Sequence, residues 1–138
     1  MPLATGGQYL FNHETGFDDD GSAMTAFVES APLALGQADR FGFVNSIIPD
    51  VSFSGSTSVN PTVDFTVKAR THNGSGFTQT DDSNTAQRSA TTPVEAYTNK
   101  LDLRIRGRTF ALRVESTSLG TKFKLGSPQV NVVQDGRR

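Results

Sequence analysis

The side chains in this chain best suited to chemistry are arginines, and they crowd into its last third. Arg104, Arg106, Arg108 and Arg113 fall within ten residues, and Arg137 and Arg138 end the sequence. A guanidinium presents a planar fork of donors that matches a carboxylate or a phosphate bidentately. On a strand, Arg104 and Arg106 project from one face about 7 Å apart. Two partners are therefore open, a phosphate backbone or the acidic side chains of another protein surface. Base stacking would need aromatic residues interleaved with the arginines, and that face has none.

The other reactive residue types are sparse. Glu14, Glu29, Glu95 and Glu115 are scattered, with nothing to pair two of them for acid–base work. No nucleophile elbow, phosphate-cradling glycine loop or paired-histidine motif occurs, so an enzyme has no support in the sequence. Asp18, Asp19 and Asp20 end at Gly21, but a calcium loop needs alternating oxygen ligands, a glycine sixth and a glutamate twelfth. Here the second acid comes too early and the glycine fourth, and Glu29 stands twelfth only by coincidence of spacing, so a solvated turn is expected. His13 and His72 are the only histidines, neither has a second ligand nearby, and no cysteine is present, which argues against zinc. Neither a metal nor a cofactor is expected.

The elements that must position the arginines are strands. Leu101, Leu103 and Ile105 alternate with Lys100, Asp102, Arg104 and Arg106, the period of a strand with one buried face. After Gly107 the parity shifts, and Phe110, Leu112 and Val114 become the apolar set. Such a shift at a glycine reads as a bulge or a tight hairpin. Upstream, Val63, Phe65, Val67 and Ala69 face inward between Thr62, Asp64, Thr66, Lys68 and Arg70. Further strands are expected at 22–30, at 40–48 with Phe41 and Phe43 on one face, and at 51–54. Four more follow at 98–106, 108–116, 121–125 and 129–134. Residues 1–21 read as an arm or entry loop, and 22–138 as a single β-domain. Residues 71–96 read as a long polar loop or hairpin within that domain, with 85–91 able to pair at an edge. Seven or eight closely spaced strands without a helix predict an all-β fold, an antiparallel sandwich or barrel. Its core should be Val63, Phe65 and Val67; Leu101, Leu103 and Ile105; and Phe110, Leu112 and Val114.

Size and charge set the frame. At 138 residues the chain is one domain's worth, able to close a core without disulfides. The absence of cysteine suits a reducing cytosol. No basic segment leads into an apolar run at the N-terminus, and no apolar run reaches the roughly 20 residues of a membrane helix, so neither a signal peptide nor a membrane is expected. The net charge of −1 conceals a split: residues 1–98 hold 4 basic and 11 acidic side chains, residues 99–138 hold 9 and 3. A free nucleic-acid-binding surface is one reading of the basic part. With the total near zero, attraction between the two parts, within a subunit or between neighbours, is preferred.

Four segments carry a resemblance: HETGFDDDGSAMTAFVES, DRFGFVNSIIPDVSF, TTPVEAYTNKLDLRIRGRTFALRVEST and FKLGSPQVNVVQDGRR. They resemble the C-terminal region of the tail nozzle, or tail tubular (stabilisation), structural protein of short-tailed bacteriophages. IIPDVSF, RIRGRTFALRVES and the terminal LGSPQVNVVQDGRR are the most specific. The resemblance implies a non-enzymatic virion protein, made in the bacterial cytoplasm and built into the tail. It implies a homo-oligomeric ring of six copies or a multiple, packed beside the adaptor and the remaining tail subunits. DNA would pass nearby without sequence-specific binding. Because such proteins are several times longer, it also implies a split-gene product or a fragment. On this view Arg104, Arg106, Arg108 and Arg113 contact neighbouring chains. The alternative is a tail-associated host-binding or decoration domain.

Overall fold

The computed structural model describes residues 16–34, 40–71 and 89–136. The described residues contain no helix and nine strands: β1 (Ala26–Glu29), β2 (Gly42–Ile48), β3 (Val51–Ser52), β4 (Thr62–Arg70), β5 (Ser89–Glu95), β6 (Leu101–Gly107), β7 (Thr109–Ser116), β8 (Lys124–Leu125) and β9 (Gln129–Gln134). All pair antiparallel, in a four-stranded sheet of order β1-β7-β4-β5, a three-stranded sheet β6-β2-β9 and a two-stranded β3-β8. The expected all-β, sandwich-like class is what forms. The arm at 1–21 falls mostly, and the polar stretch at 71–96 largely, outside the described residues.

The core follows from alternation. Along β4, Val63, Phe65, Val67 and Ala69 are buried while every residue between them is half-exposed. Facing them from the three-stranded sheet are Leu101, Leu103 and Ile105 of β6 with Val44 and Ile47 of β2, and Val94, Phe110 and Val114 complete one continuous cluster. Leu112 packs at its margin, half-buried, rather than inside it. In β2 strict alternation would bring Ser46 inward and turn Ile47 out. A bulge between Val44 and Ser46 resets the parity, so Val44 and Ile47 both reach the core. Phe41 and Phe43 do share a face, and it is the outer one.

One expectation is corrected, and the edge pairing expected at 85–91 is found further along. The parity shift after Gly107 is neither a bulge nor a hairpin, because β6 and β7 belong to different sheets. The chain crosses between the layers through Arg108 alone, and the apolar set must change parity because the core now lies on the other side. A Cβ at Gly107 would stand 2.8 Å from the Ala69 Cβ and 2.9 Å from the Arg70 carbonyl oxygen, so only glycine fits this corner. Within the polar stretch, residues 89–95 form β5 and bury Val94. Thr66 and Thr91 share a cross-strand hydroxyl hydrogen bond of 2.9 Å that helps hold β5 to β4.

The connections define two ends. β5 leads to β6 by the short turn 96–100 at one end, and β6 leads to β7 through Arg108 at the other. At the first end, β3 and β8 lie against the core with Val51, Phe53, Phe123 and Leu125. The Asp50 carbonyl accepts from Gly126 N and its carboxylate from Ser127 N, both at 2.7 Å. The sheet edges also differ. β5 carries Pro93, which cannot donate to a ladder, whereas the outer edge of β9 bears no charge or proline.

Candidate functional site

The four arginines singled out by sequence do not form one patch. Because the chain changes layer at Gly107, Arg104 and Arg106 lie on the outer face of the three-stranded sheet and Arg113 on the outer face of the four-stranded one. Arg104 and Arg106 do project together, as expected. Arg104 is exposed and lines a shallow open groove with Phe43, Asn45, Asp102 and Asn131.

Arg106 joins a tighter arrangement at the corner end. Phe41 is buried although it stands outside the core cluster, since guanidinium groups cover its ring. The Arg106 Cζ lies 4.1 Å and the Arg108 Cζ 4.8 Å from the ring centroid. Such stacking is attractive because the ring face is electronegative. Arg106 forms an ion pair with the Asp135 carboxylate and donates from Nη2 to the Asp135 carbonyl at 2.9 Å. The backbone closes the same unit: Phe41 N donates to Gly136 O at 2.6 Å and Asp135 N to Phe41 O at 2.8 Å. Arg40 Nη1 donates to the Gln134 side chain at 3.2 Å. Arg108 N donates to Arg70 O at 2.8 Å, and Arg70 Nε to the Thr109 hydroxyl at 3.0 Å.

Arg113 sits in a lattice of side chains on the opposite face. It donates from Nη1 to Glu29 at 2.9 Å and from Nε to Glu115 at 3.2 Å, and Lys68 reaches Glu29 at 3.0 Å. The register makes this possible, with Glu29 opposite Arg113 and Phe27 opposite Glu115. Arg113 also covers the exposed Phe27 ring, its Cζ 3.8 Å from the centroid. Hydrogen bonds from Lys68 and then Arg113 hold the Glu29 carboxyl below its ordinary pKa, and those to Glu115 and Glu29 hold Arg113 above its own.

The acidic turn has structural partners. Asp18 Oδ1 accepts from Gly120 N at 2.7 Å, and Asp19 and Ser22 exchange two backbone hydrogen bonds. Among the described residues no three His, Cys, Asp or Glu side chains gather to hold a metal; His13, Glu14 and His72 lie outside those residues.

Sequence reasoning missed Phe41, Arg40, Arg70 and Asp135 as partners of the arginines. Asp135 stands 29 residues from Arg106, so no local spacing links them. The only available signal was the sheet order, which makes β2 the neighbour of both β6 and β9. No protein-family model matches the chain, and no curated protein is significantly similar to it.

Proposed function

We propose that this chain is a non-enzymatic structural component of the tail of a short-tailed bacteriophage, packing with copies of itself and with other tail proteins around the DNA path. The observation that carries the reading is the convergence of the segments in which the resemblance resides. Arg40 and Phe41 of DRFGF, Arg106 of RIRGR and Asp135 of VQDGRR meet in one unit. Asp50 of IIPDVSF binds the backbone of the LGSP turn. Residues with such roles set the shape of a packing surface. None of these groups is arranged as a nucleophile with a base, and the arginines are bound by ring, carboxylate and carbonyl contacts suited to holding surfaces in register.

The test is incorporation into particles. Arg106 and Arg113 are poor choices for charge reversal, since a glutamate there would stand beside Asp135, or beside Glu29 and Glu115. Arg104 is exposed and has no partner among the described residues. Arg104→Glu should leave the isolated chain folded and lower its copy number per purified particle, measured by quantitative mass spectrometry. A particle that lacks the chain altogether, or holds it outside the tail, overturns the reading.

A host-binding or decoration role has one observation in its favour. Val59 is 94% exposed and Tyr97 75% exposed, on loops at the same end of the sandwich. Binding of the purified chain to host cells, lost on Val59→Ser with Tyr97→Ser, would favour that role.

A further inference from the structure

Charge also separates between the two ends of the sandwich, along a different division from that in the sequence, since Arg40 and Arg70 come from the acidic part and Lys100, Lys122 and Lys124 from the basic one. The register, with the hydrogen bonds of the flanking loops, fixes which residues stand at each end. Gly42, Gly107, Gln134, Arg70 and Thr109 lie together at the corner end, while Ile47, Leu101, Val130, Thr62 and Glu95 lie at the other. Among the described residues the corner end carries Arg40, Arg70, Arg106 and Arg108 against Asp135. The opposite end carries Asp18, Asp19, Asp20, Asp50, Glu95 and Asp102 against Lys100, Lys122 and Lys124. That second end also displays Val59 and Tyr97, together with Ile48 and Leu119 at 52% and 53% exposure.

We propose that the chain associates end to end with a second copy of itself, the arginine end of one copy seating on the acidic and apolar end of the next. The contact is heterologous, one patch meeting a different patch, which is the kind of interface that closes into rings or extends into filaments. Opposite charge sets orientation and disfavours like ends meeting, while the exposed apolar side chains supply area to remove from water. A nucleic acid is the weaker partner for the arginine end. Among the described residues the rings beside those arginines are Phe41, which is buried, and Phe43, half-buried opposite Arg106, and the whole chain carries a net charge of −1. The inference rests on the ring-forming reading above only in taking a second copy as its partner, and it names the two surfaces that reading leaves open.

The experiment uses the full chain in sedimentation velocity across a concentration series at low and high salt. It is run on the wild type, on Asp19→Lys with Asp102→Lys, and on Arg40→Glu with Arg108→Glu. Both aspartates are exposed, so the first variant folds even where the second does not, as circular dichroism will establish. Wild type should self-associate, with an affinity that falls as salt rises, and each variant should associate roughly tenfold or more weakly. An equimolar mixture of the two variants should regain association, because the unaltered arginine end of the aspartate variant meets the unaltered acidic end of the arginine variant. Equal association of wild type and the aspartate variant would overturn the inference while leaving a ring built by other surfaces. A wild type that stays monomeric at every concentration overturns it too, with the ring reading judged separately by copy number in particles. So would salt-sensitive binding of a DNA duplex by a monomeric wild type, abolished in the arginine variant, since the arginine end would then serve phosphate.

Discussion

Two arginine-centred regions on opposite faces use the same chemistry to different effect. Around Arg113 every partner among the described residues is another side chain, Glu29, Glu115 or the exposed Phe27, and Lys68 joins through Glu29. Around Arg106 the partners include a buried ring, a backbone carbonyl and a carboxylate on the segment that follows β9. A lattice of surface side chains can rearrange or exchange with water at little loss, and such pairs contribute about 0–1 kcal/mol each. An arginine that covers a buried ring and ties down the segment after β9 has no equal substitute in water. The difference teaches that an arginine's weight comes from the rigidity of what it touches, not from how many charges surround it.

The contrast breaks first at the rings. Phe41→Ala should destabilise the chain by about 3 kcal/mol, because a buried ring is lost and two guanidinium groups lose their platform. Phe27, 57% exposed, should cost less than about 1 kcal/mol on the same change. Urea midpoints of the two variants decide the matter, and equal shifts would erase the distinction. At the corner beneath the arginines, Gly107→Ala should cost about 1–3 kcal/mol, since the new methyl meets the Ala69 side chain and the Arg70 carbonyl. A thermal scan showing no loss would mean the corner can shift freely.

Smaller effects sharpen the comparison. Arg106→Gln should cost about 1–2 kcal/mol, and Arg113→Gln distinctly less, read by equilibrium denaturation at low salt. The last effect depends on pH. Glu29 is held below its ordinary value of 4.5, so its pairing adds stability above that value, and the gain is lost as pH falls through the folded pKa. The stability difference between wild type and Glu29→Gln should therefore be about 0–1 kcal/mol at neutral pH and close to nothing in stronger acid. A gap that widened on acidification would show that Glu29 acts through something other than Lys68 and Arg113.

How far the fold was legible depends on what kind of information each feature needs. The inward faces of β4 and β6 follow from alternation alone, and Val63, Phe65, Val67, Leu101, Leu103 and Ile105 are all buried. The layer change at Gly107 was misread because a hairpin and a crossing between sheets leave the same parity signature. Only the pairing partners distinguish them. β5 was legible only as edge pairing at 85–91, short of its true bounds, because Ser89, Thr91, Thr92 and Pro93 dilute its pattern and only Val94 reaches the core. The bulge in β2 left no mark on composition. The arginines were legible as functional candidates, but their division between two faces required knowing that the chain changes layer between Arg106 and Arg113.

The single-residue crossing also has a mechanical meaning. Between Gly107 and Thr109 the chain spans only two peptide units, roughly 7 Å when extended, so there is no slack with which one sheet could slide over the other. Tension entering along β6 is handed directly to β7, the strand gripped on one side by β4 and on the other by β1. The two sheets therefore yield together or not at all. Inserting a few glycines after Arg108 would uncouple them, lowering the force at which the chain gives way by more than it lowers the midpoint of chemical denaturation.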